Sequence, residues 1–124
     1  MKELNGILNV YKEAGFTSQD CVNIVKKSLH VKKAGHTGTL DPMASGVLPV
    51  TIGSATKIMD FLDLDLKTYI VRMRLGILTD TCDITGNVIK RSEIKKIDED
   101  TFNKITRRFI GIVNQNPPMY SALR

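Results

Sequence analysis

The amino-acid sequence predicts an α+β fold, and three observations lead there. Segments with strand-like apolar character alternate along the chain with segments of helical period. No repeat, low-complexity tract or linker interrupts them. A chain of 124 residues suits one domain, which buries roughly two-thirds of its unfolded surface, enough for a real core.

The elements follow in order. Ile7 to Tyr11 reads as a strand that ends at Glu13-Ala14-Gly15. Thr17 or Ser18 is placed to cap a helix running to about Leu29, with Val22, Val25 and Leu29 on one face. Gly46 to Ile52 is a continuous apolar run, read as a rigid strand. Ser54 is placed to cap a helix from Ala55 to about Leu62. Tyr69 to Leu75 and Val88 to Arg91 read as strands, and the TDTCDITGN stretch between them as loop and turn. That loop is not an EF-hand, because its oxygen ligands fall at the wrong spacing. Asp98 to Phe109 reads as a third helix with Phe102, Ile105 and Phe109 as its buried stripe. Met119 to Leu123 reads as the start of a further strand.

Composition narrows the function classes. Hydrophobic content of 42% and charged content of 25% are ordinary for a soluble globular protein. The net charge of +5 favours a polyanionic partner. The N-terminus has no signal-peptide apolar region and no stretch approaches membrane-spanning length, so a cytoplasmic protein with no membrane partner is expected. Two cysteines, Cys21 and Cys82, form no C-x-x-C pair, and neither His30 nor His36 is spaced with them as a metal ligand. G-H-T-G-T-L lacks the G-K-[ST] ending of a phosphate-binding P-loop.

The chemistry concentrates between Ala34 and Lys57, in AGHTGTLDPMASGVLPVTIGSATK. One carboxylate, Asp41, sits in a loop rich in Gly and Thr that leads directly into the Gly46–Ile52 strand. Such a carboxylate is a candidate nucleophile or general base; equally, Asp beside Pro is common turn chemistry. Pro42 biases Asp41 toward extended backbone. Gly35 and Gly38 permit close approach to a ligand, and Thr37 and Thr39 can hydrogen-bond the loop to itself or to phosphate oxygens. Lys32 and Lys33 stand just before the loop, either to meet phosphates or to decorate a solvated helix end with Lys26 and Lys27. Affinity built on such lysines falls steeply with salt.

GHTGTLDPMASGVLPVTIG resembles the signature of the TruB family of tRNA pseudouridine synthases, and three further segments agree in the same order. These are Gly6 to Lys12, the Lys67-Thr68-Tyr69 stretch followed by Arg74-Leu75-Gly76, and Pro117 to Arg124. The resemblance implies a mixed, largely antiparallel sheet flanked by helices. It implies isomerisation of the T-loop uridine of tRNA to pseudouridine, with Asp41 as nucleophile at either base or sugar. Tyr69 would stack on the flipped base and take part in the later proton removal, where by itself a strand tyrosine packs across strands. His36 would contact the RNA, with Thr37, Gly38, Lys32 and Lys33 as further RNA-binding residues. No cofactor and no metal are implied; the partner is the tRNA T-arm stem-loop, with no obligate protein partner expected.

Residues 1–124 then correspond to the N-terminal part of the catalytic domain. The family's catalytic arginine, an apolar pocket residue and the C-terminal PUA domain are not matched in the chain. Neither Arg72 nor Arg74 matches that arginine's position. A truncated piece with little activity alone is expected, and the alternative is a non-catalytic RNA-binding module that recognises the T arm. A guide-RNA-dependent, dyskerin-like relative is a third reading, without the extra segments that bind accessory proteins.

Overall fold

Strand β1 (Gly6–Lys12) pairs antiparallel with β3 (Gly46–Ile52), and β3 pairs on its other edge with the short β2 (Ala34–His36), giving the sheet order β1-β3-β2. The structure is a computed structural model in which residues 4–62 and 66–114 are described. The chain divides into two units, Met1–Tyr69 and Ile70–Arg124.

In the first unit the register sorts side chains onto two faces, because successive strand residues point to opposite sides. Leu8 lies opposite Val50 and Val10 opposite Leu48, so these share a face with Lys12 and Ile52. Helix α1 (Ser18–Ser28) supplies Cys21, Val22 and Val25, which join Leu48, Val50 and Ile52 in one buried cluster. Of the two candidate caps, Thr17 is the one that caps the helix, and Ser18 is its first residue. Its hydroxyl accepts from the Asp20 N–H at 3.0 Å, and the Asp20 carboxylate accepts from the Thr17 N–H at 2.9 Å, a reciprocal capping box. The Thr17 hydroxyl and N–H hold the Asp20 carboxyl below its ordinary range.

On the opposite face Tyr11 pairs with Val47, and Gly35 pairs with Thr51, whose hydroxyl donates to the Gly35 carbonyl at 3.1 Å. Met59 lies close over Gly35, where a Cβ would stand 3.2 Å from its sulfur. Met59 belongs to Gly53–Phe61, expected to be an α-helix capped by Ser54 and found to be a 3₁₀ helix with no side-chain cap. Its first turn is anchored from outside. The Gly53 N–H donates to the Lys33 carbonyl at 2.8 Å and the Ser54 N–H to Asn5 Oδ1 at 2.6 Å. Those bonds replace a local cap, and Gly53 turns there at φ 60°, where Leu4 and Asn5 leave no room for a Cβ.

The second unit contains an antiparallel hairpin of β4 (Ile77–Thr79) and β5 (Val88–Arg91), with a bulge at Leu78/Thr79. Its loop is organised by carboxylates. Asp80 accepts from the Asn87 N–H at 2.8 Å, and Asp83 from the Thr85 hydroxyl at 2.6 Å and N–H at 2.7 Å. Helix α2 (Glu99–Thr106), extended by a 3₁₀ turn at Arg107–Phe109, is capped by Asp98, which accepts from the Thr101 N–H at 2.7 Å. The Thr85 hydroxyl lowers the Asp83 carboxyl and the Thr101 N–H lowers that of Asp98.

Three expectations need correction. Tyr69 to Leu75 is not a strand: it has no ladder partner among the described residues, and its apolar side chains stand in solvent. Phe102, Ile105 and Phe109 are exposed, since no apolar surface covers them among the described residues. β2 falls in the stretch expected to be loop, because three residues show no period until β3 supplies a partner. The expected strand at Met119 to Leu123 lies outside the described residues.

Candidate active site

The loop between β2 and β3 carries Asp41, and its backbone is held residue by residue. Asp41, Pro42, Met43 and Ala44 form a turn closed by the Ala44 N–H donating to the Asp41 carbonyl at 3.0 Å. Ahead of it, the Leu40 N–H donates to Ser18 Oγ at 2.9 Å, and the Ser18 hydroxyl donates to the Leu40 carbonyl at 3.3 Å. Behind it, the Pro42 carbonyl accepts from the Gly15 N–H at 2.7 Å and from Lys12 Nζ at 3.3 Å.

Lys12 is the least expected member of this set. It is 0% exposed at the end of β1, on the face that carries Val10 and Leu8. Its ammonium also donates to the carbonyls of Phe16 at 2.7 Å and Glu13 at 3.0 Å, so three donors meet three backbone acceptors. A buried lysine is tolerable only with such satisfaction. The sequence contains one sign of it: Gly6, Leu8, Val10 and Lys12 follow a two-residue period that carries Lys12 inward.

These bonds bear on the two readings of Asp41. The turn is closed by its main chain and by its neighbours. The exposed carboxylate accepts no hydrogen bond from any described residue.

The remaining site residues are placed as follows. His36 lies in β2 opposite Val50, on the core-facing side, with Nδ1 shielded from solvent and without a partner among the described residues. Thr37 donates its N–H at 3.2 Å and its hydroxyl at 3.4 Å to the Pro49 carbonyl, stitching the loop to β3. Gly38 is approached by the end of the Lys67 stem, 3.6 Å from where a Cβ would stand. Tyr69 is 54% exposed, with its ring available for stacking. Lys32 and Lys33 line a cavity of about 440 Å³ together with Lys57, Ser54 and Thr56. Lys57 is a third cation that the linear reading did not group with them. It lies far off in sequence, and the bond from Gly53 to Lys33 draws its helix alongside. Among the described residues no group of three acidic, His or Cys side chains could hold a metal ion.

Comparison with known proteins identifies the family. Residues 26–124 match the family described as TruB family pseudouridylate synthase (N terminal domain). The tRNA pseudouridine synthase B of Clostridium perfringens is 48% identical over 121 residues, covering 98% of this chain and 41% of that protein. Its counterpart in Clostridium novyi is 50% identical, with 98% and 42% covered. The chain therefore spans about two-fifths of the length of the curated relatives it matches. Among solved structures, a Cbf5-Nop10-Gar1 complex aligns with a TM-score of 0.62 at 29% identity, over 96% of this chain and 31% of that one. The mixed helix and antiparallel-sheet architecture is thus that of the pseudouridine synthases, and the chain belongs to the TruB family, matching its N-terminal domain.

Proposed function

We propose that this chain is the N-terminal part of the catalytic domain of a cytoplasmic tRNA pseudouridine synthase that isomerises the T-loop uridine. The carrying observation is the Asp41 carboxylate, exposed and unpartnered among the described residues on a turn whose backbone is held by other groups.

The reaction is redox-neutral. The bond from ribose C1′ to base N1 breaks, a bond from C1′ to C5 forms, C5 loses its proton and N1 gains one. Asp41 acts as the nucleophile, covalently and transiently, a role that calls for an ionised carboxylate with free oxygens. The target uridine has to leave its stack before it can be reached. Tyr69 offers a flat face to the extruded base and a phenol oxygen for the proton leaving C5. His36 at the end of β2, with Thr37 and Gly38 of the loop that follows it, meets RNA, and Lys32 and Lys33 meet backbone phosphates, with Lys57 beside them.

The test is tritium release from C5-labelled T-arm RNA by the complete enzyme and its Asp41→Asn variant. Turnover is expected to fall at least about a thousand-fold, as for other lost nucleophiles, with RNA affinity little changed. Retained turnover in the variant would remove Asp41 from the role. RNA binding without product from the unaltered enzyme would favour the non-catalytic module. The 124 residues alone are expected to turn over slowly, since they span about two-fifths of the relatives' length.

A further inference from the structure

We propose that Ser18, opposed by Lys12 and the Gly15 N–H, is a positioning residue that sets the direction of the Asp41 carboxylate. This rests on the reading of Asp41 as nucleophile and adds to it the device that aims it.

Ser18 is the first residue of α1, directly after the Thr17 cap, and is 3% exposed. Thr17 already satisfies the helix end through the Asp20 N–H, so the Ser18 hydroxyl is not needed for capping. It is spent on both polar groups of Leu40, accepting from N–H and donating to C=O. A side chain that engages N–H and C=O of one residue acts as a one-residue strand partner and resists rotation of the peptide units on either side. The carbonyl it holds belongs to the peptide that leads into Asp41. On the far side, the Pro42 carbonyl is held by two donors from the β1–α1 segment, Lys12 Nζ and Gly15 N–H. Asp41 thus lies between two anchored carbonyls, of Leu40 and Pro42, and both anchors come from residues 12–18.

The second anchor is stiff for its own reason. Lys12 Nζ is fully engaged by three carbonyls, of Glu13, Phe16 and Pro42, so it cannot release one without leaving a buried N–H unpaired. Among the described residues nothing bonds the carboxylate itself, so its direction follows the backbone that carries it. Misplacing a reacting group by about 1 Å can cost on the order of a hundred-fold in rate.

The experiment compares Ser18→Ala, Val22→Ala and Asp41→Asn in the complete enzyme, reading kcat and KM on T-arm RNA together with thermal midpoints. Val22 lies in the same core, 2% exposed, against which Leu40 also packs, and its side chain makes none of the loop's hydrogen bonds, so it controls for lost packing. Ser18→Ala is expected to lower kcat ten-fold or more with KM within two-fold, while Val22→Ala holds kcat within two-fold despite a larger drop in midpoint. Ser18→Cys, which keeps a weak donor and acceptor, falls between Ser18→Ala and the unaltered enzyme. Should Ser18→Ala not fold, Ser18→Cys against Val22→Ala decides in the same way. A kcat within two-fold of the unaltered enzyme for Ser18→Ala, a rise in KM alone, or an equal loss in Val22→Ala would each overturn the proposal. An active Asp41→Asn enzyme would instead overturn the nucleophile reading.

Discussion

The two units of the chain solve the problem of holding a polar loop in different ways. In the first, the loop of Asp41 hangs from a three-stranded sheet and a helix that share six buried side chains, and the anchors on its backbone include a fully buried lysine. In the second, the loop between β4 and β5 is held by its own carboxylates, and none of the described residues of that unit is buried. A two-stranded hairpin is marginal in water without further cover. The first arrangement draws rigidity from apolar burial and leaves the Asp41 carboxylate without a partner among the described residues; the second consumes its carboxylates to keep its shape.

Substitutions separate these cases. Leu48, 1% exposed at the centre of β3, is expected to cost about 3 kcal/mol when cut to Ala. Native-state hydrogen exchange should show that loss in the amides of β1 and β3. Phe109→Ala in the second unit, 72% exposed, is expected to cost well under about 1 kcal/mol. Equal losses would erase the contrast. A smaller effect is expected at the helix cap: Thr17→Ala should destabilise α1 by about 1 kcal/mol, read as faster exchange in its first turn. Because Ser18 and not Thr17 grips Leu40, kcat should stay within two-fold in that variant, and a large loss would assign the loop's order to the cap instead.

The mildest probe is acid. Asp20, Asp83 and Asp98 have folded-state pKa values lowered below 3.8 by hydrogen bonds from Thr17, Thr85 and Thr101 respectively. A lowered carboxyl contributes stability that is fully present above its unfolded value and is lost as pH falls through its folded value. Both units should therefore hold their caps at neutral pH and weaken below about pH 4. Two of the three carboxylates support the unit without buried side chains, so the Thr85 and Thr101 amides should lose protection at a higher pH than those of β3. Simultaneous loss would mean that the two units share one cooperative transition.

Particular residues mark how much could be read in advance. Thr17, Asp20 and the apolar spacing of α1 are a local code, since capping and helical period act within a few residues, and the helix is found where they put it. Val88–Arg91 and Asp98 as a helix start were legible for the same reason. The Asp41 loop was legible as a motif, and its family follows from that motif. Tyr69 to Leu75 misled because an alternating pattern states which face could be buried and says nothing of whether a partner strand is present. Gly53–Phe61 misled because its first N–H groups are taken by Asn5 and Lys33, residues that no local rule connects to it.

Linear order alone therefore established the family, the α1 helix with its cap narrowed to Thr17 or Ser18, and the one carboxylate worth testing, because each is written in neighbouring residues. Folding was needed to bring Lys12 and Ser18 onto the peptides beside Asp41 and to gather Lys57 with Lys32 and Lys33. Hydrogen bonds of that kind join atoms whose separation along the chain bears no relation to their separation in space. Their partners are selected by the burial that closes the β1-β3-β2 sheet on its helix.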